Sequence, residues 1–569
     1  MSNMKRFVIS GIVIIALILF LLYRRVSGVV LPLLTVALSI VSTVGLMGHA
    51  GIAIKLPTQI LPSFLLAVGV GASVHLLAIF YRQLQSSVSA EHPRGDAGEA
   101  ITYAAGHSGL AIMMTSITTA SGLASFAGSG VAPVSDLGYV ASAGVMISFF
   151  FVMFMTPALI SVFKIGALHE HSESGAHIKV SRLDQLLSWI SSFSIDHSGK
   201  VIIVSLLVLM ISFVGVSKVQ FSHNPVKWLA VDDPSRIATN FVNDNMKGAS
   251  SAEVVIDTGS VNGLYDPQIM QTISDLSDDV ATITNKELFV GKTLSLADML
   301  KEINQALNDN RSEHYVIPDN RELIAQEFLL FENSGSDDLE DMVDSQFQKS
   351  RFIIKMPWGD SFYYPEFVSM IKDRFESALG DGAQITITGL VVLLGQTIVL
   401  AMKSMANGYM IAAGVITVMM ILLLGNIRIG LFSMVPNLTP IIFIIGLMGW
   451  FNLPMDLFTM LIGSIAIGLA VDDTIHFMHN YRRYYHQYGD LKKAVTETLL
   501  STGRAMLVTT IVLASGFYLY MFSTLTVLFN FGLLTGAAIV MALLADFFLA
   551  PAMLHQLHKH NLIKGHNEY

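Results

Sequence analysis

The stretch Gly468-Leu-Ala-Val-Asp-Asp-Thr-Ile-His-Phe477 lies inside an apolar run from 455 to 480, and its reading decides the fold. In a soluble helix two adjacent acids cost little. At the centre of a bilayer each carboxylate costs about 2.5–3.5 kcal/mol, so Asp472 and Asp473 together cost on the order of 5–7 kcal/mol. The rest of the chain says which case applies. Of its 569 residues, 53% are hydrophobic and only 14% charged, against about 25% charged in an ordinary globular domain. A run of about 18 or more apolar residues can cross a ~30 Å hydrocarbon core as a helix. Eleven runs fit: 7–23, 29–49, 58–81, 109–127, 134–163, 199–218, 406–425, 429–450, 455–480, 504–522 and 525–556, here spans 1 to 11. This composition excludes a disordered chain and a typical cytosolic enzyme. The net charge of −9 offers no basic surface for nucleic acid. With no cysteine in the chain, disulfides and thiolate chemistry are excluded.

Loop charge orients the spans, because cytoplasmic loops collect Lys and Arg. The loops at 24–28, 82–108, 164–198, 426–428, 481–503 and 557–569 hold 14 Lys/Arg, among them Arg24, Arg25, Arg82, Arg482, Arg483, Lys492 and Lys493. The short loops on the other side hold one, Lys55. The first set is expected inside, which puts the C-terminus inside and the N-terminus outside. The first run follows Lys5 and Arg6, as in a signal peptide, but Tyr23, Arg24 and Arg25 follow it with no small-residue cleavage site.

Residues 219–405 break the apolar pattern and fall outside. Between 220 and 400 there are 28 Asp/Glu against 13 Lys/Arg. That acidity reads first as a solvated surface. Strands are predicted at 252–258, 351–356 and 385–389, and helices at 266–283, 296–308, 321–332, 337–347 and 365–379. Together they suggest an α+β sandwich of the split-βαβ kind. A helix starting near 391 should run unbroken into span 7.

The chain also repeats itself. Gly45-Leu46-Met47-Gly48 recurs as Gly446-Leu447-Met448-Gly449, Ser73-Val74-His75 as Thr474-Ile475-His476, Ala100-Ile101-Thr102 as Ala494-Val495-Thr496, Ser121-Gly122 as Ser515-Gly516, and Pro157-Ala158 as Pro551-Ala552. Spans 1–5 and 7–11 are thus two copies of one five-helix unit. Both start outside and end inside, so they are parallel repeats. The expected fold is a polytopic α-helical membrane protein of two parallel five-helix repeats plus one linking span, with one extracytoplasmic α+β domain. The divisions are 1–163, first repeat; 164–198, cytoplasmic linker; 199–218, linking span; 219–405, α+β domain; 406–556, second repeat; 557–569, cytoplasmic tail.

This pattern resembles the RND (resistance–nodulation–division) superfamily, and within it the MMPL-like branch of predicted hydrophobe exporters. The residues 468–477 look like that family's acidic membrane motif. Asp546-Phe-Phe-Leu-Ala-Pro-Ala-Met looks like its closing-helix motif, and Asn224-Pro-Val-Lys-Trp-Leu with Asp233-Pro-Ser-Arg like the entry to its second porter domain. The resemblance implies the RND fold, secondary transport, and a bacterial inner-membrane location with the insert in the periplasm. In that family span-centre acids carry the coupling proton, and Asp472 and Asp473 match the motif.

Helix spacing supplies partners. Asp472 and His476 are i,i+4 and Asp473 and His476 are i,i+3, so all can share one face. Adjacent carboxylates in a low dielectric cannot both ionise easily, and imidazole exchanges protons near neutral pH. The proton-relay candidates are Asp472, Asp473, Thr474, His476, Ser73, His75, Thr509, Thr510 and Asp546. In the first repeat Gly71 and Ala72 stand where the second has its two acids, leaving Ser73 and His75. That departs from the family pattern and leaves one acidic centre. Thr115, Ser116, Thr118 and Thr119 on span 4 either line a water path or hold helices together. Asp456 reads as a helix cap, Asp136 as a helix-start residue and His479 as an interfacial polar residue. Gly69, Gly71, Gly463 and Gly468 read as close-packing positions.

Enzyme readings fare poorly: there is no HExxH, P-loop or G-x-S-x-G, and His476-x-x-His479 lacks a third ligand. An intramembrane aspartyl protease using Asp473 and Asp546 conflicts with the repeat architecture. No cofactor and no metal are expected. The leading expectation is a proton-driven exporter of lipids or other hydrophobic compounds; the alternatives are a non-transporting scaffold or lipid sensor, or a protein-export auxiliary. Expected partners are a hydrophobic substrate and membrane lipids, with a homo-oligomer or accessory periplasmic protein left open. By the offset linking Gly28 to Gly430, Met1 corresponds to about residue 403. The first repeat is therefore expected to lack a preceding span and porter domain, or to be completed by another polypeptide.

Overall fold

The computed structural model describes residues 2–55, 57–87, 95–163, 165–166, 182–335 and 337–560, with the backbone alone for 2–8 and 337. The chain divides into two compact units, Met1–Gln220 with Ala401–Tyr569, and Phe221–Leu400.

The first unit is a bundle of membrane helices, and the protein is a polytopic helical membrane protein. Among the described residues ten helices are long and apolar enough to cross a bilayer: Ser27–His49, Pro57–Ser86, Ala97–Gly128, Ala132–Val162, Ser198–Val216, Leu390–Leu424, Ile427–Trp450, Leu457–Tyr488, Leu491–Phe522 and Thr526–Lys559. They are spans 2 to 11. Span 1 is the helix Ser2–Tyr23; its described apolar stretch, Ile9–Tyr23, is shorter than the about 20 residues of a full crossing. Span 7 lies in one helix from Leu390 to Leu424 with no break at 400–408.

Several helices outrun their apolar cores because a cap starts them early. Asp96 accepts hydrogen bonds from the backbone N–H groups of Gly98 and Glu99 at 2.8 and 3.0 Å, so span 4 begins at Ala97 and not at 109. Asp490 does the same for Lys493 at 2.9 Å, before span 10. The linker carries an amphipathic helix, Arg182–Asp196, that was not predicted. Arg504 grips both oxygens of Asp184 at 2.5 Å, and Lys492 both of Asp196 at 2.7 and 2.8 Å. Linker residues 164 and 167–181 and tail residues 561–569 lie outside the described residues.

Spans 6 and 8 meet backbone to backbone. A Cβ added at Gly449 would sit 1.8 Å from the carbonyl oxygen of Gly215, and one at Gly215 would sit 2.2 Å from that of Gly446. Small residues allow such contact where no hydrophobic force separates helix from lipid. Across the centre, span 3 packs on span 10 and span 9 on span 4, the exchange that a two-fold relation between repeats produces. Local geometry repeats too. A π-helical turn at Phe151–Met155 precedes Pro157, and another at Ala545–Leu549 precedes Pro551. Proline lacks an N–H and clashes with the carbonyl four residues back, and the wider turn relieves both. The carbonyl of Phe547, four before Pro551, instead accepts the Ser194 hydroxyl at 3.2 Å.

The second unit is α+β. Its four-stranded sheet has the order β4-β5-β1-β6, with β4 Lys292–Leu294, β5 Lys349–Met356, β1 Ser250–Asp257 and β6 Gln384–Thr388. β1 pairs antiparallel with both β5 and β6, so β5 and β6 run parallel with β1 between them. The helix Tyr364–Leu379 joins those two, which makes a split βαβ. Alternate residues of β1 face the core, Ala252, Val254 and Ile256 being buried. The helices Pro267–Val280, Leu296–Leu307 and Arg321–Glu332 cover 266–283, 296–308 and 321–332 as read. The helix read at 337–347 is not there. Only a short 3₁₀ turn, Asp337–Leu339, forms. Asp344 instead accepts the N–H groups of Gln348 and Lys349, both at 2.8 Å, and Phe347 takes a φ of 48°, which builds a turn into β5. The helix Pro234–Asn245 and the strands β2 Thr284–Asn285, β3 Leu288–Phe289 and β4 were not predicted.

Two outcomes follow from this packing. Gly449→Leu forces spans 6 and 8 apart and should lower stability by about 1–3 kcal/mol, the usual cost of overpacking. Gly414→Ala, where a Cβ meets nothing within 4 Å, should not; thermal unfolding of the two purified variants checks this. Glu327 is buried, its Oε2 lacks a hydrogen-bond partner, and burial raises its pKa from 4.5 to about 7. Between those values the folded state binds more protons than the unfolded one, so stability falls as pH rises across that window. Glu327→Gln should flatten the pH dependence of Tm and raise Tm on the alkaline side.

Candidate functional site

Span 9 starts at Asp456. Its Oδ1 accepts the N–H groups of Phe458 and Thr459 at 2.9 and 2.8 Å, and the Thr459 hydroxyl closes a capping box. That acid is a cap, as its position suggested. Four turns further on, the helix is enclosed on all sides, and Asp473, Thr474 and His476 are buried. The Asp472 side chain keeps 18% exposure.

The predicted residues converge into one cluster where spans of both repeats meet. The Thr510 hydroxyl donates to Asp473 Oδ2 at 3.3 Å, whereas the Thr509 hydroxyl donates to the Met506 carbonyl at 2.9 Å. The Thr115 hydroxyl donates to the Ile112 carbonyl of its own helix at 3.0 Å, and Asp472 Oδ1 is 3.7 Å from His476 Nε2. The His476 ring stacks on His75, with centroids 3.8 Å apart and planes 3° from parallel. These are equivalent positions of the two repeats, so the pair sits at their shared centre. Neither Nε2 has a hydrogen-bond partner. Ser73 turns away from this junction and donates back to the Gly69 carbonyl at 2.9 Å.

On the far side of span 9, the Thr474 Oγ1 lies 2.6 Å from Asp546 Oδ1 and 2.6 Å from Asn437 Oδ1. Asp546 is directed inward from the π-helical turn before Pro551. Asn437 was missed. The available signal was a buried-type amide between Pro436 and Pro440 in the apolar run of span 8.

Neighbouring candidates have simpler roles. Thr118 donates to the Thr115 carbonyl at 2.9 Å and Thr119 to Gly468 at 3.1 Å, which joins span 4 to span 9. Asp136 is held by Lys55 at 2.5 Å. A Cβ at Gly69, Gly463 or Gly468 would come within 2.5 Å of Ser148, 2.9 Å of Tyr409 and 3.3 Å of Thr119, respectively. At Gly71 the nearest atom is 3.8 Å away, so packing does not require glycine there. Among the described residues no three His, Asp or Glu converge in a way that could hold a metal ion.

Comparison with known proteins places this arrangement. The MMPL family model matches residues 1–183 and 230–566. The chain belongs to the MMPL family. The matched segments include the acidic motif and the Asp546 turn, whereas Asn224–Leu229 falls between them. A membrane protein of Methanocaldococcus jannaschii is 20% identical over 388 residues, which is 66% of this chain and 95% of that one. The hopanoid transporter HpnN of Rhodopseudomonas palustris is 28% identical over 161 residues. That match covers 27% of this MMPL chain and 17% of the transporter's own length.

The natural chain has no cysteine, so a pair can be added cleanly. With His75→Cys and His476→Cys together, a short thiol-specific cross-linker should join spans 3 and 9 within one chain. The fragments should then stay linked after a protease cut engineered between the repeats. Failure to link in membranes would mean that the two spans do not meet at these positions.

Proposed function

We propose that this MMPL chain is a secondary exporter of lipids or other hydrophobic compounds, driven by the proton-motive force across the bacterial inner membrane. The observation that carries this reading is the cluster itself: three carboxyl groups and two imidazoles enclosed in the bundle, where spans of the two repeats meet. Intramembrane ionisable groups are costly to keep and mark ion pathways by default. Asp473 takes and releases the coupling proton, with Thr510 donating to it when it is ionised and Thr509 beside Thr510 on span 10. Asp472 faces the less enclosed side and exchanges protons with water. Two imidazolium charges at the 3.8 Å separation of His75 and His476 would repel by about 4 kcal/mol at an effective dielectric constant of about 20. At most one ring of the pair is therefore charged, and a single charge is shared between the repeats.

In this reading residues 219–405 form a periplasmic porter domain that receives the hydrophobe, with the C-terminus in the cytoplasm. The family membership and the likeness to a hopanoid transporter support a hydrophobic cargo. The chain acts without a cofactor, alongside membrane lipids and with room for a homo-oligomer or an accessory periplasmic protein. One proton moving through about 100 mV supplies about 2.3 kcal/mol, so a few protons can expel an apolar molecule against a gradient.

The test is proton flux and lipid export in vesicles reconstituted with the chain. Asp473→Asn should abolish both at unchanged protein level, and Asp472→Asn should slow both at least tenfold. Flux that needs sodium and no pH gradient would overturn proton coupling. Unchanged flux in Asp473→Asn with less protein recovered would favour a structural scaffold.

A further inference from the structure

The Thr474 hydroxyl has one hydrogen and two acceptors at 2.6 Å, Asp546 Oδ1 on span 11 and Asn437 Oδ1 on span 8. The Asn437 amide cannot be turned round to donate, because its Nδ2 already donates to the Ser433 carbonyl at 3.0 Å. Both short contacts are satisfied only if the hydrogen between Thr474 and Asp546 belongs to Asp546. The other carboxyl oxygen, Asp546 Oδ2, is buried without a hydrogen-bond partner, a position that an ionised carboxylate could occupy only at high cost.

The first repeat supplies the contrast. By the offset linking Gly45 to Gly446, Asn437 and Thr474 correspond there to Val36 and Ser73, and by that linking Pro157 to Pro551, Asp546 corresponds to Val152. With valine at both of those positions, the Ser73 hydroxyl returns to its own helix at 2.9 Å. Thr474 has the same option, the Ala470 carbonyl, but stands 3.3 Å from it. The polar pair has drawn the hydroxyl outward, and only in the second repeat.

We propose that Asp546, Thr474 and Asn437 form a proton-operated switch, in which protonated Asp546 donates to Thr474 and Thr474 donates to Asn437, tying span 9 to span 8. When Asp546 loses its proton, the one hydroxyl hydrogen of Thr474 turns to the carboxylate and the bond to Asn437 is lost. Span 9 is then tied to span 11 instead. This rests on the proton-coupled reading and adds to it the step that converts a proton into a change of helix partner. Asn437 is a positioning residue. The ionisable groups facing Asp546 are Asp472 and Asp473 of span 9. The helix Arg182–Asp196 brings Ser194 to this turn, while its Asp184 and Asp196 are paired with Arg504 and Lys492. On span 6 and the end of span 11, Lys200 and Lys559 are exposed, and His555 and His558 lie at least two turns on.

Infrared spectroscopy of the full chain in proteoliposomes tests the switch. At neutral pH the difference spectrum between the unaltered chain and Asp546→Asn should show the carbonyl stretch of one protonated carboxylic acid, apart from the contributions of Glu327 and Asp473 common to both, and that band should shift in frequency in Thr474→Val. Spin labels on introduced cysteines in spans 8 and 9 should show a distance that changes with pH. That change should be lost in Asp546→Asn, whose amide still donates to Thr474, with the distance held at its acid-side value. It should be lost in Asn437→Leu too, which keeps the carboxylic band. A missing band at neutral pH, or a pH-dependent distance unaffected by both variants, overturns the switch. Proton flux on the same samples separates the two readings. Normal flux in Asp546→Asn defeats the switch and leaves the exporter standing; a band with pH-dependent distances but no flux in the unaltered chain defeats the exporter and leaves the switch.

Discussion

The structure depends on keeping carboxyl groups out of lipid. Asp472, Asp473 and Asp546 all belong to helices made mainly of apolar residues, and a helix carrying such groups must face other helices or water. Span 9 answers by going to the middle. Nearly all of its length is buried, whereas span 6 turns most of its apolar side chains outward. Much of the bundle follows from that placement. The Thr510 hydroxyl of span 10 meets Asp473 and the Thr474 hydroxyl of span 9 meets Asp546, because a buried carboxyl group without partners is costlier than a paired one.

The repeats share a backbone and divide the chemistry. Both have a π-helical turn before a proline, both cross-pack their third helix on the other's fourth, and both bring a histidine to the centre. Yet the acids belong to one side. Gly71, Ala72, Val36 and Val152 stand where Asp472, Asp473, Asn437 and Asp546 stand in the second repeat. The scaffold is thus symmetric while its polar centre is one-sided.

The second unit shows the same economy of local rules. Its sheet follows from strands whose alternate residues are apolar, and its helices from caps such as Asp266, which accepts the N–H of Gln268 at 2.8 Å. Where the local signal was ambiguous, the reading went wrong. Residues 337–347 contain enough apolar residues for a helix, but Asp344 competes for backbone N–H groups and makes a turn.

Much of this protein was legible without coordinates. Apolar runs located the membrane helices, because the thickness of a bilayer sets a length that sequence shows directly. The costly doublet marked the candidate site, and the repeat placed His75 at the position equivalent to His476. Helix ends were less legible, since Asp96 and Asp490 extend helices through caps that a hydropathy reading passes over. What only the tertiary structure decided is which distant groups share a hydrogen. In the sequence Thr474 is one hydroxyl among several, and Asn437 carries no reading at all. Their importance lies in a 2.6 Å geometry joining residues from three spans. Spacing along one helix reports neighbours on that helix, whereas the direction of a hydrogen bond between helices exists only once they are packed.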